Sequence, residues 1–95
     1  MSDVRSIHKY KIVPGGTSIE APHGAVLLSV HAQQDCMFAW FLVDPEQPMS
    51  TRRYAVLGTG QLTPSPMLYG LVFAGTIHVF NGSLVFHVWM EPPKP

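Results

Sequence analysis

The sequence predicts an all-β domain: a compact antiparallel sandwich or partly open barrel of about seven short strands. Three observations carry that expectation. Short runs rich in Val, Ile, Phe, Tyr and Trp recur along the chain, each bounded by Pro, Gly, Asn or Asp. No window places apolar residues at i, i+3, i+4 and i+7 without an interrupting Pro or Gly, so an amphipathic helix has nowhere to form. The length of 95 residues suits one core, and residues 1–95 are read as one domain.

The first strand is expected at Ile7–Val13, ended by the turn Pro14-Gly15-Gly16. A short strand at Ser18–Glu20 runs into a second turn, Pro22-His23-Gly24. Ala25–Gln33 and Met37–Val43 flank Gln34-Asp35 and read as a hairpin. With that two-residue loop, Val26, Leu28, Val30, Ala32, Met37, Ala39, Phe41 and Val43 share the core face. Leu27, Ser29, His31, Gln33, Cys36, Phe38, Trp40 and Leu42 then face outward. Asp44–Thr51 holds two prolines and is a connection to the strand Arg52–Leu57. Thr59–Met67 also holds two and is another. Tyr69–Phe80 is a long strand run interrupted at Gly75, and Asn81-Gly82 turns it into Leu84–Met90. Residues 1–6 and Pro92-Pro93-Lys94-Pro95 are expected to fray.

The last hairpin is the most informative. A two-residue type I′ turn at Asn81-Gly82 pairs Phe80 with Ser83, Val79 with Leu84, His78 with Val85 and Thr76 with His87. One face then carries Gly75, Ile77, Val79, Leu84, Phe86, Val88 and Met90, with no polar side chain, and is core. The other carries Ala74, Thr76, His78, Phe80, Ser83, Val85, His87 and Trp89. Two hairpins packed core to core would each present an aromatic and histidine face outward. His31, Phe38, Trp40, His78, Phe80, Val85, His87 and Trp89 are therefore the candidate contact residues.

Charge points the same way. Six Lys+Arg balance six Asp+Glu, and charged residues make up 13% of the chain against roughly 25% in ordinary domains. That balance excludes an extended nucleic-acid module working through counterion release, and it favours association. A homo-oligomer is expected. The five histidines would add up to five positive charges on acidification through about pH 6, weakening such contacts. The opening residues hold no apolar leader, and the longest apolar stretch, Met37 to Val43, is far short of the ~20 residues that span a membrane. A cytoplasmic protein is expected, with one indifferent thiol, Cys36.

The constellations that carry chemistry are sparse. His78 and His87 lie diagonally on one face, and His31 would join them only if the two hairpins adjoin; a zinc site takes three or four ligands, so no metal and no cofactor is expected. No Gly-x-Ser-x-Gly elbow exists, and Cys36 with His31 is the weakest form of a Cys/His pair, so no enzyme is expected. Arg52 and Arg53 open a strand and point to opposite faces. With Tyr54 and the backbone of Gly58-Thr59-Gly60, they form the candidate site for a phosphorylated planar ligand: guanidinium or turn N–H groups meet phosphate, and an aromatic ring meets the base.

The order of motifs resembles an uncharacterised family of small phage and prophage proteins. The residues that carry the likeness are Ala21-Pro22-His23-Gly24-Ala25, Phe38-Ala39-Trp40-Phe41-Leu42-Val43-Asp44, Leu57-Gly58-Thr59-Gly60 and Phe86-His87-Val88-Trp89. The chain departs from the pattern in placing Met90 before Glu91, and in a longer Gly70–Ile77 segment. The resemblance brings no assigned chemistry. It implies a phage context and, with it, the host bacterial cytoplasm and an accessory role in host takeover or counter-defence. The expectation is a homo-oligomer that sequesters a small anionic ligand, such as a nucleotide immune signal, or blocks a host protein. The alternative is a structural or assembly component of the virion.

Overall fold

The computed structural model describes residues 3–94 and contains seven strands in two antiparallel sheets that do not close into a barrel. The strands are β1 (Ser6–Ile12), β2 (Ser18–Pro22), β3 (Val26–Gln33), β4 (Cys36–Val43), β5 (Met49–Gly58), β6 (Val72–Val79) and β7 (Leu84–Met90). The three-stranded sheet has the order β1-β4-β3, and the four-stranded sheet β2-β5-β7-β6. One turn of 3₁₀ helix, Ser65–Leu68, interrupts the connection from β5 to β6. Of the termini expected to fray, residues 1, 2 and 95 lie outside the described residues. Ser6 is paired with Val43, and the exposed Pro92 and Pro93 line one cleft with Val26 and Phe73.

The turns follow local chemistry. Pro14 presets the backbone at the first central position of its turn, and Gly15 takes φ +80° at the second; Gly16 N then donates to Val13 O at 3.0 Å. Gln34 and Asp35 both adopt left-handed backbone, and Gln33 pairs with Cys36, so the two-residue loop is as expected, and so is the register from there back to Ser29 opposite Trp40. In the last hairpin the expected pairs form from Thr76/His87 to Val79/Leu84, but Phe80 and Ser83 leave the ladder: Phe80, Asn81 and Gly82 are all left-handed, and the loop has four residues instead of the expected two.

The two inner faces meet around Phe41, Ile12, Val43 and Val88, all fully buried, with Met37, Ala39, Val56, Ile77, Val79 and Met90 beside them. Tyr10 packs edge-on to Phe41, with ring centroids 5.7 Å apart. Burial raises the pKa of the Tyr10 hydroxyl.

Two bulges change which residues face the core. In β3 the register shifts between Leu27 and Ser29, so Leu27 turns inward opposite Phe41, while Val26 and Leu28 are about half exposed. This reverses the expected places of Val26, Leu27 and Leu28. In β6 the shift falls between Phe73 and Gly75, which puts Phe73 outward opposite Trp89 and packs Ala74, expected on the outer face, against the core. Gly75 at this bulge lies where a Cβ would stand 2.8 Å from the Val30 methyl of the facing sheet, a space only glycine tolerates. Leu84, expected in the core, is 46% exposed at the end of β7.

Tyr69, Gly70 and Leu71, read as the start of a strand, instead end a crossover. β5 and β6 both pair antiparallel to β7, so the chain must return along the length of the sheet between them. Residues 59–71 make that return over the outer face. Arg53 Nη2 donates to Tyr69 O at 2.6 Å, and the outward-facing Ala55 is buried.

Candidate functional site

Arg52 and Arg53 alternate across β5, as expected. Arg52 points between the sheets and is 5% exposed; its Nη2 donates to Ala25 O at 2.6 Å, its Nη1 to Glu91 O at 3.4 Å, and its guanidinium lies 5.5 Å from the Phe41 ring. Burial lowers its pKa, and the Glu91 charge opposes that shift. Buried cations persist only with such partners. Arg52 is therefore a buried cation whose guanidinium is spent on backbone carbonyls under the chain end, on the opposite side of β5 from Arg53.

Arg53 points outward. Its backbone N–H donates to Glu91 Oε1 at 3.1 Å and its Nε lies 3.5 Å from Glu91 Oε2. The Glu91 carboxyl is held below its usual range, chiefly by that N–H bond and further by Lys94, Arg53 and Arg52, with burial opposing. Tyr54 is buried, and its hydroxyl accepts from Val13 N at 3.2 Å. Its ring face is thus unavailable for stacking on a base.

Gly58-Thr59-Gly60 forms a tight turn, not an anion cradle. Gly58 N donates to Gln61 Oε1 at 3.0 Å, Gln61 N to Gly58 O at 3.0 Å, and Thr59 N to Val85 O at 3.2 Å. The N–H groups of Gly58 and Thr59 are already satisfied, so a phosphate would have to displace them. Thr59 Oγ1 instead lies 2.7 Å from His87 Nε2, while Thr76 Oγ1 lies 3.0 Å from His87 Nδ1. The imidazole is thereby clamped between two hydroxyls, and it ties the start of the crossover to β7.

Beside Arg53 the crossover stands off the sheet and leaves a cavity of about 250 Å³. Its walls include Gly16 of the β1–β2 turn, Arg53 and Leu57 of β5, and Gln61, Met67 and Leu71 of the crossover. Of the six predicted ligand residues, only Arg53 and Tyr54 border it. Met67 and Leu71 were missed because nothing in their sequence context shows that the connection folds back over β5.

The eight candidate contact residues divide between opposite faces. His31, Phe38 and Trp40 lie on the outer face of the three-stranded sheet, where His31 stacks on Trp40 at 4.3 Å, Phe38 meets Trp40 edge-on, and Lys9 Nζ sits 4.6 Å from the Phe38 ring. His78, Val85, His87 and Trp89 lie on the outer face of the other sheet, and Phe80 at its tip. His31 is thus across the molecule from His78 and His87, and among the described residues no group of three or more His, Cys, Asp or Glu is placed to hold a metal ion.

A continuous apolar band joins the two faces at one end. Ile7, Leu42 and Val26 sit in one row across the three-stranded sheet, exposed by 59%, 37% and 48%. Val26 shares a cleft at the open β3/β6 side with Val72 and Phe73, both more than half exposed, and Phe73 meets Trp89 edge-on at 5.3 Å. Most of this band escaped sequence reasoning. Its visible signal was Gly75, an isolated glycine in a strand pattern, which marks a bulge.

Among the described residues no helix is long and apolar enough to cross a membrane. Residues 3–95 match the model of a family described as a domain of unknown function (DUF7352). Neither the curated proteins nor the solved structures include a match.

Proposed function

For a chain that belongs to the DUF7352 family, a domain of unknown function, we propose a role in binding and not in turnover. The protein acts as a self-associating module that covers its apolar band with a second copy, and it serves as an accessory factor that occupies a target. The observation that carries this reading is the apolar band Ile7–Leu42–Val26–Val72–Phe73–Trp89, joined across a cleft that Arg52 and Glu91 also line, with Ile7, Val72 and Phe73 more than half exposed. A standard interface takes about 800 Å² from each partner. The accessible surface here is 5849 Å², on a body measuring 44 × 31 × 15 Å along its principal axes, so the broad faces have room for it.

The phage setting, host takeover or counter-defence, rests on the motif order Ala21-Pro22-His23-Gly24-Ala25, Gly58-Thr59-Gly60 and His87-Val88-Trp89. Between a host protein and a phosphorylated ligand as target, the burial of Arg52 on the Ala25 carbonyl and the satisfied N–H groups of Gly58 and Thr59 favour the protein.

Light scattering after gel filtration tests the reading at tens of micromolar protein. The wild type is expected at a multiple of the chain mass, and the Val26→Ser/Phe73→Ser variant at the mass of one chain with its circular dichroism unchanged. A wild type that elutes as a single chain overturns it.

A further inference from the structure

The cavity beneath the crossover has a chemistry that the self-association reading does not use. We infer that it binds a small monocarboxylate with a short apolar tail. The carboxylate is taken by the Arg53 guanidinium, and the tail lies against Leu57, Met67 and Leu71.

Size comes first. About 250 Å³ is below the range of pockets that hold drug-sized ligands, so the guest is smaller than a nucleotide. The walls are mainly aliphatic, with Thr17, Tyr54 and Gln61 the other polar side chains beside Arg53. A guest that fits this lining is apolar along most of its length and charged at one end.

Charge decides the sign of that end. Arg52, Arg53 and Lys94 all act on a single carboxylate side chain, Glu91, so among the described residues the cluster holds more positive than negative charge. The nearby acid on β2, Glu20, accepts instead from the Thr51 hydroxyl at 2.7 Å. An incoming anion therefore meets net positive charge without having to displace Glu91.

Geometry then fixes the donor. Tyr69 O holds Nη2 of Arg53 at 2.6 Å and Glu91 stands by Nε, which fixes the plane of the guanidinium. Its third nitrogen, Nη1, has no hydrogen-bond or ion-pair partner among the described residues. A planar group held on two sides and open on the third is preorganised, so little rotamer freedom is lost when a carboxylate binds.

Isothermal titration and thermal melting with octanoate, 1-octanol and inorganic phosphate test the inference on the full chain. Octanoate is expected to bind and raise the melting temperature. Arg53→Gln is expected to weaken it at least tenfold, and so is Met67→Glu, which changes an exposed side chain and leaves Arg53 in place. Equal binding of octanol overturns the role of Arg53, binding of phosphate without octanoate overturns the role of the tail, and no binding of octanoate overturns the site. The assembled mass is not expected to change in any arm, so failure here leaves the self-association reading standing.

Discussion

Glu91 ties the last strand to β5 and to the chain end. Its carboxylate receives the Arg53 N–H, faces the Arg53 and Lys94 side chains, and follows the last strand by one residue. Its carbonyl accepts from Arg52. The alternation of Arg52 and Arg53 is legible in a strand sequence; their partners are not, because the β5–β7 register alone brings Glu91 across from residues 38 and 39 positions away. Glu91 has a folded pKa below its ordinary value of about 4.3, so its contribution is full above that value and disappears as pH falls through the lower folded value. Glu91→Gln should cost about 1–2 kcal/mol near neutral pH. Between about pH 5 and pH 3 the wild type should lose stability more steeply than the variant, so the two should converge in urea titrations. A constant gap down to pH 3 would show that the charge of Glu91 is not what matters.

The hairpin tips of the two sheets are pinned to each other by one bond. Asp35, in the β3–β4 turn, accepts the Phe80 N–H of the β6–β7 loop at 2.9 Å. Phe80 sits at φ +51°, a conformation that costs a bulky residue roughly 1–2 kcal/mol, and the Asp35 bond offsets part of that cost. Asp35→Ala should lower stability by about 0.5–1.5 kcal/mol, and hydrogen exchange at the Phe80 amide should speed up more than at the Val88 amide in the core. Unchanged exchange at Phe80 would count against the latch. Most strands and all four turns were legible in the sequence because Pro, Gly and polar turn residues punctuate short β-branched and aromatic runs. The bulges were not. Val26-Leu27-Leu28 and Val72-Phe73-Ala74 are apolar throughout, so a one-residue slip leaves no break in alternation to be read. Nor was the crossover, since its course over the sheet follows from strand order, which β5 and β6 reach only by leaving room for β7.

At the scale of the whole molecule, the charge deficit and the band have one physical consequence. A thin body with zero formal net charge has no long-range repulsion to oppose association, and the row Ile7–Leu42–Val26 with Val72 and Phe73 supplies a hydrophobic attraction. The two kinds of force respond differently to added salt. Charge pairing at exposed sites is screened within about 10 Å at 0.1 M salt and weakens as salt rises. Burial of apolar surface is insensitive to sodium chloride in that range and is strengthened by sulfate. Self-association should therefore change by less than about threefold between roughly 0.05 and 0.5 M sodium chloride, and should tighten in ammonium sulfate. Sedimentation velocity across both salts measures it. Steep weakening in sodium chloride would move the contact away from the band and onto the basic edge that carries Lys9 and Lys11, where β1 presents two cations opposite Trp40 and Phe38.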